Sequence, residues 1–346
     1  MTDRSWTWAF PVACCLVVVT GVLLAFGALV TTYEAAMAVP DWPATYGHNM
    51  FLYPLGDWFF GPWDLFLEHG HRLLGAAVGV ITLVLAAVIW ATRQSSAVRA
   101  LVVAAVILVV LQGLLGGLRV LLDDKTIAKV HACTGPLFFA VAVGIATLSS
   151  PWLRAGSARH PGRLELAPHS VGGWLAGGLL VAAYVQLVAG AQLRHLDPTV
   201  SYVGFRWLVF LHVAGAVVVT LLSIASASSA FGLLPRAWQH SVRSTAERWW
   251  SLVIVGLVSC QLVLGCLAWV VSWGMPLGLL PDSLVSVLPE PTGLTVARSG
   301  FSAAVVTGHV LLGMFILANS VVLAIVSGGI PQLGALSLSS GRRAWV

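Results

Sequence analysis

Charge is what this chain has least of. Only 9% of its 346 residues are Asp, Glu, Lys or Arg, 58% are hydrophobic, and the mean hydropathy is +0.92. A soluble domain carries about 25% charge. A globular fold around one large core is therefore excluded, and a chain that crosses a bilayer many times is implied. Cysteine is sparse as well. Cys14, Cys15, Cys133, Cys260 and Cys266 all fall inside apolar runs, and no Cys-x-x-Cys occurs. That argues against a disulfide framework and leaves them as small packing residues. The net charge of +5 is small and dispersed, so it gives no footprint for nucleic acid. In a membrane protein its distribution matters more than its total.

What the chain does have is long apolar runs. Trp8–Val30, Leu67–Ala91, Ala97–Leu122, Ile127–Leu148, Val171–Leu193, Val203–Ala227, Trp250–Trp273 and Ser302–Val326 each reach the roughly 20 residues that a span needs. No small-residue cleavage site follows the first run, so it is expected to persist as a helix. With the N-terminus inside, eleven of the 18 Lys and Arg residues fall on inner segments, while ten of the 13 acids lie outside or at outer helix ends. The basic residues predict both termini on the cytoplasmic side of an inner membrane.

The expected fold is an all-α membrane protein with eight transmembrane helices in two repeated four-helix bundles. Residues 1–150 make the first bundle, 151–170 an inner linker and 171–346 the second. The repeat shows in helices 3 and 7, where Gln112 to Leu118 and Gln261 to Leu267 share Q-x-x-L-G-x-L. Helices 1 and 5 share Gly27-Ala28 and Gly190-Ala191 near their outer ends. Duplication of this kind predicts paired sites, one per half. The outer segment 32–67 lacks Lys and Arg and is long enough to suggest a function such as covering a site. Its Trp42 and Trp58, and Trp63 beside them, equally suit interfacial anchoring.

Four histidines carry the chemistry. His71, His131, His212 and His309 lie within about the first two turns of helices 2, 4, 6 and 8, which all enter from the outer face. Ionisable residues inside membrane spans are functional candidates. Gly75, Gly135, Gly215 and Gly313, three or four residues on, share each histidine's helix face and leave room for something flat, although small residues also serve close helix packing. Two histidines facing each other across a bundle suit haem iron with two axial nitrogens. With two ligands per half and no carboxylate or thiolate beside each pair, zinc and copper fit less well.

The halves are unequal. Glu68 stands three residues before His71, on one helix face, but Val209 holds that position before His212. A carboxylate there can move protons or stabilise developing positive charge. The plainer reading is an ion pair with Arg72. His69 is expected at the interface. His48 and His195 are candidate supporting groups, and His160, His169 and His240 need no function. Arg119, Lys125, Lys129, Arg194 and Arg206 suit haem propionates or are ordinary flanking charges.

Pro40-Asp41-Trp42-Pro43 and the stretch Glu68-His69-Gly70-His71-Arg72-Leu73-Leu74-Gly75, with a histidine on each even helix, resemble the haem A synthase family over nearly the whole chain. The resemblance implies oxidation of the C8 methyl of haem O to the formyl of haem A, by successive hydroxylations and loss of water. It implies that His71 and His131 receive the substrate haem, that His212 and His309 hold a haem B, and that Glu68 is the acidic residue beside the reacting haem. Implied partners are membrane lipid, a haem O synthase, an electron acceptor such as a quinone and a second copy of the chain. Some bacterial members carry a cysteine pair in an outer loop; this chain has none, which places a thiol-based step in doubt here. The competing expectation is a dihaem cytochrome that only carries electrons. A transporter fits poorly, because four helices per unit give halves of the same orientation.

Overall fold

The computed structural model describes residues 8–92, 94–153, 170–196, 200–235, 244–273 and 299–329. Its long helices are α1 (Ala9–Thr32), α2 (Trp63–Ala91), α3 (Ser96–Leu122), α4 (Lys125–Ser149), α5 (Val171–Arg194), α6 (Tyr202–Phe231), α7 (Thr245–Trp273) and α8 (Gly300–Val326). All eight are long and apolar enough to cross a membrane. No strand occurs among the described residues, and the expected all-α membrane architecture is borne out. Residues 154–169 of the inner linker, most of the inner basic residues, His160, His169 and His240 lie outside the described residues.

Local chemistry sets the helix ends. Ser95, Ser170 and Ser201 accept the N–H of Val98, Gly173 and Gly204, and Asp124 accepts those of Thr126 and Ile127. Each side-chain oxygen satisfies donors that have no partner within the helix. Three expected boundaries move for the same kind of reason. Helix α7 begins at Thr245, ahead of Trp250, because Ser244 and Glu247 each accept the other's backbone N–H, at 3.0 and 3.1 Å, a reciprocal capping box. Helix α2 begins at Trp63, ahead of Leu67, with Pro62 before it and Asp64 in its first turn. Helix α6 runs past Ala227 to Phe231 and stops where Gly232 takes φ 78°.

Helices α1–α4 pack in cyclic order, α1 on α2, α2 on α3, α3 on α4 and α4 on α1, and α5–α8 do the same. The first set is filled by Leu16, Val78, Leu85, Ile89, Phe138 and Ile145. The second is filled by Leu179, Val219, Ile254, Ile316 and Leu317. A third cluster joins the sets through Phe139 and Val143 on α4 and Ala318, Val321 and Ile325 on α8. Arg194 ties α5 to α1 by donating to Ala28 O and Thr32 Oγ1, each at 2.6 Å, and Thr32 meets Thr307 of α8 at 3.1 Å. Outward side chains such as Ile107 and Leu221 stay exposed, as apolar side chains facing lipid do. All five cysteines are free, three of them exposed on helix surfaces.

Candidate haem-ligand pairs

The four histidines meet in two pairs. His71 on α2 faces His131 on α4 with ring centroids 6.4 Å apart, and His212 on α6 faces His309 on α8 at 6.3 Å. The rings of each pair are steeply inclined, at 78° and 73°. A metal–imidazole nitrogen bond is about 2.0–2.1 Å. With roughly 1.1–1.2 Å from that nitrogen to the ring centre, two imidazoles on opposite sides of one metal ion place their centroids about 6.3 Å apart. Both pairs have that spacing. Among the described residues no group of three or more His, Cys, Asp or Glu side chains converges. Each pair thus brings two imidazoles together with no third such side chain among the described residues.

Every one of these rings is seated on a glycine of the preceding helix. A Cβ on Gly27 would lie 2.9 Å from His71 Cε1, on Gly116 3.2 Å from His131 Cε1, on Gly190 3.1 Å from His212 Cε1 and on Gly265 3.0 Å from His309 Cε1. For His71 the backbone four residues before the glycine meets the same ring edge. His71 Nδ1 lies 3.2 Å from Leu23 O. His131 Nδ1 and His309 Nδ1 are buried without a hydrogen-bond partner among the described residues. The Gln186 side chain lies 3.1 Å from His212 Nδ1. At His71, an Nδ1 turned to a backbone carbonyl leaves Nε2 as the free ring nitrogen.

The shared Q-x-x-L-G-x-L stretch has a structural meaning here. Gln112 Nε2 donates to His131 O at 3.2 Å, and Gln186 Nε2 donates to His212 O at 2.8 Å. Each glutamine ties its helix to the backbone of the histidine on the next helix. Gln186 escaped the sequence comparison because only helices 3 and 7 share the full motif. A search for Gln-x-x-x-Gly alone finds Gln112, Gln186 and Gln261, each four residues before a seat glycine. Alanine at Gly27 is expected to cost about 1–3 kcal/mol through overpacking against the His71 ring. Alanine at Gly256, which meets open space, is expected to stay within about 0.5 kcal/mol of the parent. Thermal unfolding in detergent measures both.

The glycines that follow the histidines divide the halves. Space is open beyond Gly75, and Gly135 is near only Leu24. Gly215 is closed off by Gln186 and Gly313 by Leu187 and Gln261. The expected room beside each histidine therefore exists in the first half and is filled by side chains in the second.

Glu68 is 1% exposed and both its oxygens are engaged. Oε1 pairs with Arg72 Nη2 at 2.8 Å, and Oε2 accepts the Val39 N–H at 2.9 Å. The plainer reading, an ion pair, is thus present in the fold. His69 corrects an expectation. It is 1% exposed rather than interfacial, because Thr45 Oγ1 meets its Nδ1 at 3.0 Å and the rings of Tyr53 and Trp58 close over it at 5.2 Å each. Trp42 covers Gly117, Trp58 packs on Phe59, Phe66 and His69, and Trp63 stays half-exposed. Of the three, Trp63 keeps the exposure of an interfacial anchor. His48 lies on the exposed part of the loop, its ring on Tyr53. Arg206 lies over the Tyr202 ring at 5.8 Å. Asp41 accepts the N–H groups of Tyr46 and Gly47, at 2.9 and 2.8 Å. Burial works to raise its pKa, but those two donors and the Arg72 guanidinium outweigh burial and hold the carboxyl below its ordinary range.

Residues 63–209 match the family model COX15-CtaA, cytochrome oxidase assembly protein. The matched segment begins at the first residue of α2, includes Glu68, His71 and His131, and ends three residues before His212. The chain is 30% identical over 192 residues to the haem A synthase of Alkalihalophilus pseudofirmus, an alignment covering 53% of this chain and 59% of that protein. It is 30% identical over 194 residues to the haem A synthase of Shouchella clausii, covering 54% and 59%. The chain thus spans less than two thirds of the curated relatives it matches. Residues 63–209 of this multi-pass membrane protein are similar to cytochrome oxidase assembly proteins of the COX15-CtaA type, and about half of the chain is similar to two haem A synthases.

Proposed function

We propose that the chain is a membrane oxidoreductase that converts the C8 methyl of haem O to the formyl of haem A. In this reading the half of residues 1–150 binds the substrate, between His71 and His131. The half of residues 171–346 keeps a resident haem B between His212 and His309. The observation that carries the reading is the contrast between two pairs of equal spacing, 6.4 and 6.3 Å, set in unequal surroundings. Only the first has a buried carboxylate on the same helix and open space beside its glycines.

Taking a methyl to a formyl group removes four electrons, so the reaction needs an outlet for them. Haem B, when bound, supplies one-electron redox chemistry for that purpose. The residues of this chain do the rest. His71 and His131 orient the substrate through their Nε2 atoms, held by the Gly27 and Gly116 seats. Glu68, fixed on Arg72 and the Val39 amide, keeps a negative charge at a set position and stabilises positive charge developing at the substrate edge. Residues 39–45 and Trp42 keep water from that end of the site. The same proposal includes delivery by a haem O synthase, a quinone-class electron acceptor, a second copy of the chain and an inner membrane with both termini cytoplasmic.

Haem extraction from protein co-produced with a haem O source tests it, read by chromatography and mass. The expected content is haem B together with haem O, haem A or a hydroxylated haem O. Haem B alone, at two per chain, would instead make the protein an electron-carrying cytochrome. A folded sample without haem would overturn both.

A further inference from the structure

The segment between α1 and α2 is thirty residues long (33–62), yet part of it is buried as deeply as a helix core. Val39 and Thr45 are 0% exposed. Irregular backbone at such a depth must find donors and acceptors, and the segment has no Lys or Arg of its own. One turn of α2 supplies them. Arg72 Nη1 donates to Asp41 O at 2.6 Å and to Ala44 O at 2.9 Å. Its Nη2 donates to Val39 O at 2.6 Å and to Glu68 at 2.8 Å. Glu68 accepts the Val39 N–H, and His69 meets Thr45. A planar guanidinium with five donors suits this task, binding three carbonyls and a carboxylate at once.

The clamp is built beside the first histidine pair. Arg72 follows His71 directly. The segment it holds reaches from α2 to α3, where the Trp42 indole lies on Gly117. Gly116, one residue earlier, is the seat of His131. The second half has Val209, Phe210 and Val213 where the first has Glu68, His69 and Arg72, and only seven residues (195–201) join α5 to α6. Among the described residues, clamp and strap thus occur together on the half with open space beside its histidines.

We propose that Arg72, with Glu68 and His69, is a positioning residue that fastens residues 39–45 as a strap across the first histidine pair. Trp42 is the part of the strap that limits entry and release of a flat macrocycle there. The identity of that ligand rests on the function proposed above; the clamp itself does not. Glu68 accordingly has a structural duty that is separate from any charge it offers to chemistry.

Hydrogen exchange of the full-length protein in detergent tests the clamp, comparing the parent with Arg72→Ala, Arg72→Lys and Trp42→Ala. Arg72→Ala is expected to speed exchange at the Val39, Tyr46 and Gly47 amides by roughly tenfold or more, with α6 and α8 unchanged. Arg72→Lys keeps a charge for Glu68, so Glu68 is not left buried and unpaired. It offers one ammonium in place of the fork and is expected to fall between the two. Should Arg72→Ala fail to fold, the lysine variant decides. Parent-like protection in a folded variant overturns the clamp.

The second readout is release of ferric haem B, as a probe, from the first pair into excess apomyoglobin. Trp42→Ala is expected to speed release roughly tenfold while Val39 stays protected, which a purely structural strap would not do. Unchanged release in both Arg72→Ala and Trp42→Ala overturns the role over the ligand. Failure of the first pair to take up the probe at all counts against the proposed function, and the exchange results then stand alone for the clamp.

Discussion

Alanine at His212 or His309 is expected to empty the second half of haem B, whereas alanine at His71 or His131 is expected to leave haem B bound and abolish haem A formation. Each pair brings two imidazoles to the spacing of axial ligands on one metal, and the pairs share no residue. Loss of one ligand should exceed the roughly 10–100-fold that removal of an outer-shell partner costs a metal site. The two halves then report separately. Purified variants would be extracted and their haems identified by mass, with haem A yield measured in parallel. Haem B lost from His71 or His131 variants and kept in His212 or His309 variants would reverse the assignment of the halves. Partial loss from all four would mean that both pairs hold the same haem type, as in an electron carrier.

Much of this arrangement was legible because membrane spans write themselves in composition. Eight apolar runs gave eight helices, and histidines at one depth marked the pairs. Where the reading fell short, the cause was polar detail inside an apolar code. The start of α7 moved by five residues because Ser244 and Glu247 cap one another, a pattern short enough to pass unnoticed beside Trp249 and Trp250. Gln186 was missed because its neighbours differ from those of Gln112 and Gln261, although its distance to the seat glycine is the same. His69 was placed at the interface from helical phase alone. Phase says which way a side chain leaves the helix, and in the absence of other structure that direction was water or lipid. Here a folded loop occupies it. The loop was beyond periodicity altogether, since its burial depends on one arginine reaching three carbonyls that are distant in sequence.

The sharpest test of Glu68 comes from comparing glutamine with alanine at this position. Glutamine keeps an oxygen for the Val39 N–H or for Arg72 and nearly the same volume, but carries no charge. It is expected to retain the strap and both haems, and to slow oxidation by on the order of 10²–10³-fold, the scale of losing one well-placed electrostatic group. Alanine removes the acceptors too. It leaves the Val39 amide buried without a partner, at about 1–3 kcal/mol, and takes the counter-charge from Arg72. The strap should then loosen in addition to the loss of rate, so the two variants should differ in loop exchange and agree in lost product. Single-turnover formation of haem A, measured beside hydrogen exchange at Val39, separates the contributions. If glutamine supports the full rate, the charge is not used in the reaction, and Glu68 is left with the structural duty that its two hydrogen-bonded oxygens already describe. If glutamine is slow with the strap intact, the carboxylate serves both purposes. Its burial beside a guanidinium then has a reason in each: the pair holds the loop in place, and the loop keeps the pair out of water, where its charge would be screened.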